Sequence, residues 1–359
     1  MKSNRLLCFI VVFLICFCLT HSYAKNRSTL KNQKEERALR KKYGEPGDPN
    51  IRYFGRWDFS DPDQFMSYWG GAYIKVNFSG TSVKIKIGNK SNYYAKIDGG
   101  PWVSYLNAED VIDLTPVPLA AGEHTLSVAQ GKDYNYVFSF EGLLLDDGAK
   151  TMAPVVSPNL IEYIGDSITT GYTDAQADVS DYAWICSENL NCEHTQIAYP
   201  GINLVCGYSS NGMSEQYFKQ RSLAYLDSKS WDFAAYTPKL IVINLGTNDT
   251  NHKIPDFLFQ SVYLDFLTKI RNKFPTAEIF VLKTFSGTKA IATLGAVNSR
   301  NKLGDNRVHY VDTSGWLNDK EDFNDSAHPN VKGHLKAAAL LQGVLARYIS
   351  DTNGSDQAK

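Results

Sequence analysis

The sequence predicts an α/β chain in which an N-terminal β-sandwich precedes a doubly wound, parallel-sheet domain. Three observations lead there. Between Ile51 and Ala149, short runs alternate apolar with polar residues and are separated by turn signals, as half-buried antiparallel strands are. Beyond a junction marked by Asp147-Gly148, Pro154 and Pro158, apolar strands alternate with helical segments, which argues for a parallel sheet covered on both faces. A length of 359 residues leaves room for two domains with cores of their own.

Taken in order, the chain opens with Lys2 and Arg5 before an apolar segment from Leu6 to Leu19, and Ser22-Tyr23-Ala24 supplies small residues where a signal peptidase reads. Residues 1–24 are expected to be a cleaved secretory signal; an uncleaved anchor is the alternative, disfavoured because the segment is short for a membrane span. Residues 25–49 are charge-dense and end in breakers, and read as a solvated linker or pro-segment, or else as a stub of surface helix. Residues 50–150 form the expected sandwich, with strands at Ala72–Phe78, Ser82–Ile87, Tyr93–Ile97, His124–Val128 and Val137–Phe140. Trp57, Trp69 and Trp102 in that region are candidates for sugar binding, against the plainer reading as core.

Residues 151–350 form the expected second domain, followed by a tail at 351–359. Its strands are Leu160–Gly165, Gln196–Tyr199, Leu240–Leu245, Glu278–Leu282 and Val308–Val311. Helical periodicity covers Phe257–Phe274 and Val331–Ile349. The first strand ends in Gly165-Asp166-Ser167, and the residues after the serine can open a helix. A serine hydroxyl at a strand's carboxyl end, near helix-start N–H groups, suits a nucleophile; an ordinary turn and N-cap is the other reading.

Charge and cysteine content narrow the function. With 37 Lys+Arg against 38 Asp+Glu, the net charge of -1 argues against capture of nucleic acid or an anionic membrane. Cys8, Cys16 and Cys18 would leave with the signal, so Cys186, Cys192 and Cys206 remain, expected as one disulfide plus a buried thiol. A zinc site is the weaker alternative, since no Cys-x-x-Cys pair is present. Sequons begin at Asn26, Asn77, Asn89, Asn248, Asn324 and Asn353.

Loops after the strands of a doubly wound sheet share one rim. Ser167 follows the first strand, Gly201 the second and Asn248 the third, while Asp325-Ser326-Ala327-His328 precedes the last helix. A nucleophile, a bare backbone N–H, an amide donor and a base with its orienting acid are what acyl transfer requires. Each residue also has a plainer reading: a tight turn for Gly201, a helix cap for Asn248, a loop histidine for His328. His124, His194, His252, His309 and His334 lack ligand spacing and are taken as structural.

Gly165-Asp166-Ser167, Gly201, Gly246-Thr247-Asn248-Asp249 and Asp325-Ser326-Ala327-His328, in this order, resemble the four blocks of the SGNH (GDSL-type) hydrolase superfamily. The sandwich ahead of them, ending in Phe140-Glu141-Gly142-Leu143-Leu144-Leu145-Asp146-Asp147, looks like the two-domain layout of carbohydrate esterase family 2. The resemblance implies a jelly-roll-like first domain and a flavodoxin-like second one. It further implies Ser167 as nucleophile, His328 as base and Asp325 as its orienting acid, or a Ser-His dyad with Asp325 auxiliary. Ser167 N–H, Gly201 N–H and the Asn248 side chain would form an oxyanion hole. No metal or organic cofactor is implied. The implied partner is an acetylated polysaccharide or oligosaccharide acted on outside the cell by a monomer; lipase activity and non-catalytic carbohydrate binding are the rivals. Tyr172, Trp231 and Trp316 are candidate sugar platforms, or else packing. Asp166 is left the task of bracing its loop.

Overall fold

The computed structural model describes residues 43–349 apart from 132–136, 209, 210, 226 and 319. The expected signal at 1–24, most of the linker and the tail at 351–359 lie outside the described residues. Residues 43–49, expected within the solvated linker, instead dock on the first domain. Gly44 accepts from Leu143 N–H at 2.7 Å and donates to Asp48 Oδ2 at 2.7 Å. Gly44 sits at φ +84°, and a Cβ there would come within 2.7 Å of Leu143 O, so this close approach requires glycine.

The first domain contains β1 (Arg52–Phe54), β2 (Trp57–Asp61), β3 (Gln64–Ser67), β4 (Tyr73–Gly80), β5 (Val83–Ile97), β6 (Val103–Asp113), β7 (Gly122–Gln130), β8 (Phe138–Leu145) and β9 (Thr151–Met152). They form one antiparallel sheet in the order β1-β4-β7-β5-β8-β3-β2, with β6 also on β5 and β9 also on β4. The fold turns on β5, a single long strand where the sequence pattern predicts two short ones. Its first half pairs with β8 through Val83–Ile87 and its second with β7 through Tyr93–Ile97. Register shifts between Ile87 and Tyr93 bend the strand between those partners. The sheet thereby curls over a single core that includes Ile74, Val76, Ile85, Val128 and Phe140, giving a nearly barrel-like body. The alternation of buried Val83, Ile85 and Ile87 with exposed Lys84 and Lys86 is the period-two pattern that marks this strand in the sequence.

The second domain places β10 (Leu160–Gly165), β11 (Glu193–Ala198), β12 (Leu240–Asn244), β13 (Glu278–Leu282) and β14 (Val308–Val311) in a parallel sheet of order β11-β10-β12-β13-β14. Its helices are α1 (Tyr182–Asn189), α2 (Met213–Gln216), α3 (Thr247–Asn251), α4 (Asp256–Lys273), α5 (Ala290–Lys302) and α6 (Val331–Ile349). Successive strand residues face opposite sides. Ile164, Ile243 and Val281 pack with Phe259, Phe266 and Ile270 of α4 and Ala296 of α5. Tyr163, Val242 and Phe280 pack with Cys186 of α1 and Leu341 and Leu345 of α6. Because the chain runs from β10 to β11 on one side and then to β12 on the other, a crevice opens at the carboxyl ends of these three strands.

Buried polar contacts lock the two domains together. Arg56 of the first domain is fully buried, donates to Lys219 O at 2.8 Å and lies 3.9 Å from Glu162 of β10. Tyr217 and Tyr236 hydroxyls also donate to Glu162. Trp231 closes over the Arg56 guanidinium at 5.3 Å. Tyr73 donates to Glu193 at 2.7 Å, and Lys75 pairs with the same carboxylate at 2.7 Å.

This packing decides between the two readings of the tryptophans, in favour of the plainer one, and corrects the expectation for the cysteines. Trp57 and Trp69 are core residues, Trp69 donating to Gln220 O at 3.0 Å, and Trp102 packs edge-on to Trp184 with ring centroids 5.3 Å apart. Cys186, Cys192 and Cys206 are free thiols rather than a disulfide and a thiol. Cys186 faces the α1 side of the sheet, while Cys206 lies in the loop before α2, accepting from Gly212 N–H at 3.1 Å. Burial pushes the Cys186 thiol up to about 12 and Cys192 to about 11, so neither is a ready thiolate. Among the described residues no helix is long and apolar enough to cross a membrane.

Candidate active site

β10 delivers Ser167 to the crevice, but the segment after it is not the expected helix. Thr169 and Thr170 N–H groups reach back to Asp166 O at 3.1 and 3.3 Å, and Gly171 at φ +61° ends this single turn. A turn-rich loop then runs to α1. The first domain holds its far part: Gln176 Nε2 donates to Trp102 O and Ser104 Oγ, both at 3.0 Å.

The base arrives on the loop before α6. Ser167 Oγ lies 2.8 Å from His328 Nε2, and His328 Nδ1 lies 2.8 Å from Asp325 Oδ2. An offset of three residues is short for two side chains to meet. An Asx turn solves it: Asp325 Oδ1 accepts the N–H groups of Ala327 at 2.8 Å and His328 at 2.9 Å, folding the carboxylate back onto its own imidazole. Partial desolvation raises the Asp325 pKa, but those two N–H groups and the imidazole outweigh it and hold the carboxyl below its ordinary value. Asp325 is therefore an anion at neutral pH, suited to keeping the proton on Nδ1 and leaving Nε2 as an acceptor for the serine. Asn324 ties this loop to the serine loop, donating to Thr173 Oγ1 at 2.8 Å.

Gly201 follows β11 at φ +81°. Among the described residues its N–H and that of Ser167 have no protein acceptor. The Asn248 amide spans the loops that carry them, donating to Ile202 O at 3.1 Å and to Asp166 Oδ2 at 3.3 Å. Asp166 is fully buried and its other oxygen accepts from Ile168 N–H at 3.0 Å. Burial raises its pKa to about 7 against the opposing pull of the Ile168 N–H. Asp249 braces the glycine loop from the other side, accepting from Leu204 N–H at 2.9 Å and Val205 N–H at 3.1 Å. Sequence reasoning missed both the Asp166–Asn248 contact and the task of Asp249; the signal for the latter was a carboxylate directly after the asparagine of Gly246-Thr247-Asn248-Asp249.

The aromatic candidates separate. Tyr172 stands beside the base, its ring 5.6 Å from that of His328. Trp231 is 9% exposed over Arg56 and belongs to the domain interface, not to a substrate platform. Trp316 is half-buried, with its ring 6.4 Å from Phe285. The sequon residues Asn248 and Asn324 spend their amide nitrogens on protein acceptors.

Comparison with known proteins agrees with this arrangement. Residues 163–336 match the GDSL-like Lipase/Acylhydrolase family, and residues 53–154 match the Carbohydrate esterase 2 N-terminal family. The cellulase/esterase CelE of Acetivibrio thermocellus is 31% identical over 320 residues, 82% of this chain, but the chain spans only 39% of that protein's length. An acetylxylan esterase/glucomannan deacetylase of Cellvibrio japonicus is 24% identical over 82% of this chain and 87% of its own length. The structure of a family two carbohydrate esterase from Clostridium thermocellum in complex with cellohexaose superposes with a TM-score of 0.73 at 29% identity, covering 83% of this chain and 98% of that one. Two matched domains in sequence, on the expected sheets and around the expected rim, place the chain among the SGNH (GDSL-type) hydrolases in the two-domain arrangement of carbohydrate esterase family 2.

Proposed function

We propose that the protein is a secreted serine esterase that removes acetyl groups from polysaccharides such as xylan or glucomannan. The observation that carries this reading is the relay in which Ser167 Oγ, His328 and Asp325 follow one another at 2.8 Å per step. Ser167 Oγ attacks the acetyl carbonyl carbon while its proton passes to His328 Nε2, and Asp325 stabilises the imidazolium that forms. The negative charge that develops on the carbonyl oxygen is met by the N–H groups of Ser167 and Gly201 and by the Asn248 amide, which turns one N–H from Ile202 O toward the oxyanion while the other stays on Asp166 Oδ2. The tetrahedral adduct then collapses, the sugar oxygen leaves with the proton from His328, and Ser167 is left acetylated. Water, deprotonated by the same imidazole, attacks the acetyl ester, and acetate leaves with Ser167 Oγ regaining its proton.

Polysaccharide as substrate is supported by the names of the relatives and by the cellohexaose held by one of them. Secretion is supported by the sequence of residues 1–24. The test is acetate release from acetylated xylan and glucomannan, set beside turnover of long-chain acyl esters by the same preparation. Preference for the long chains would replace this reading with that of a lipase.

A further inference from the structure

Away from the catalytic relay, a pocket of about 470 Å³ opens where the two domains meet. Met66, Tyr68, Asn89, Lys90 and Val137 line it from the first domain, and Arg221 and Tyr225 from the second. That volume lies in the range of small-molecule sites. No acidic side chain is among its lining residues, although two cations are.

Arg221 is the built element. Its guanidinium lies 4.4 Å over the Tyr68 ring and 5.7 Å from that of Tyr225, and the two tyrosines meet edge to face at 5.0 Å. This packing fixes the plane of the guanidinium and leaves its N–H fork as the polar face. Among the described residues neither Arg221 nor Lys90 has a carboxylate partner. Tyr68 is only 5% exposed, so the surface that holds the arginine is a wall and not a mobile side chain. Asn89, which begins a sequon, donates its amide N–H to Lys90 O at 3.2 Å.

An oriented fork with a second cation beside it suits a planar carboxylate bound in bidentate fashion. The half-buried Tyr225 ring and Met66 beside that fork suit the body of a pyranose. We infer that this junction pocket binds the carboxylate of a uronic acid substituent on the polysaccharide, so that the protein senses an acidic branch as well as the acetylated backbone. The inference rests on the polysaccharide reading of the active site and adds a site to it.

The experiment is calorimetric titration of the full chain with a glucuronic acid-substituted xylo-oligosaccharide, with the same oligosaccharide lacking the acid, and with free glucuronate. The acidic oligosaccharide is expected to bind about tenfold or more tightly than the neutral one, with the preference fading as salt is raised. Arg221→Ala should remove the preference, and Lys90→Ala, an exposed position whose loss leaves the core intact, should weaken it several-fold. Both variants should hydrolyse 4-nitrophenyl acetate as the parent does. Equal affinity for the acidic and neutral oligosaccharides, or an unchanged preference in both variants, overturns the inference. Binding of free glucuronate as tight as that of the substituted oligosaccharide overturns the assignment to a polysaccharide branch. Acetate release from a neutral acetylated xylan, measured on the same proteins, reports separately on the active-site reading.

Discussion

Replacing Asp166 by asparagine tests how the oxyanion donor is held. Asp166 Oδ2 accepts from the Asn248 amide at 3.3 Å while Oδ1 accepts from Ile168 N–H. An asparagine can keep the second contact only by turning its own NH2 toward the NH2 of Asn248, donor against donor. The Asn248 amide must then rotate or withdraw, and the hole loses one of its three donors. Loss of one such donor costs roughly 10²–10³ in kcat, or about 2.7–4 kcal/mol of transition-state stabilisation. Steady-state hydrolysis of 4-nitrophenyl acetate should therefore show a fall in kcat with little change in KM. Stability should move differently. The folded-state pKa of Asp166 is raised from 3.8 to about 7, so the folded protein holds more protons than the unfolded chain between those values and stability falls as pH rises through that window. The loss is at most on the order of 4 kcal/mol. The asparagine variant lacks that loss, and its melting temperature relative to the parent should rise between pH 4 and about pH 7. A variant with full kcat would refute the orienting role of Asp166, and a pH-independent difference in melting would refute its raised pKa.

Other perturbations draw on the same geometry. Asp325→Asn should lower kcat by up to about 10⁴ while leaving KM near the parent value, because the imidazole loses the anion that sets its tautomer; unchanged turnover would make Ser167 and His328 a self-sufficient dyad. Since the Asp325 pKa is depressed, its contribution is present at neutral pH and is lost only as pH falls through that lowered value, so the kcat deficit of Asp325→Asn relative to the parent should shrink in acid. Arg56→Ala leaves the Glu162 carboxylate without its cation and the Tyr217 and Lys219 carbonyls without their donor at a buried interface, and should cost roughly 3–5 kcal/mol in chemical denaturation. Leu341→Ala removes a fully buried side chain from the face of α6 that packs on the sheet and should cost roughly 2–5 kcal/mol.

What could be read from the sequence depends on how local each signal is. Glu278–Leu282, Val308–Val311 and Val331–Ile349 coincide with β13, β14 and α6, because apolar runs and a helical stripe report directly on strands and helices. The Ser167, Gly201, Asn248 and His328 blocks were visible because each immediately follows a strand or precedes a helix, and the order of a doubly wound sheet then brings strand ends together. The unity of β5 was not visible. Its two halves owe their continuity to different partners, β8 and β7, and pairing across the sheet leaves no mark on the strand itself. Trp231 looked like a sugar platform because exposure cannot be read from a residue type; the buried Arg56 that it covers lies 175 positions earlier in the chain. The grip of Asp166 on Asn248 and the bracing by Asp249 are contacts between loops of different strands, set only once the sheet has formed.

The most direct measurement is acetate released from acetylated xylan by the full chain and by Ser167→Ala, both shown to be folded by their melting curves. The relay from Asp325 through His328 to Ser167 predicts steady release by the parent and loss of nearly all activity in the variant, with only the remnant that binding and the oxyanion hole supply without a nucleophile. A Ser167→Ala protein that releases acetate at the parental rate, or a parent that releases none from any acetylated glycan, would contradict the account.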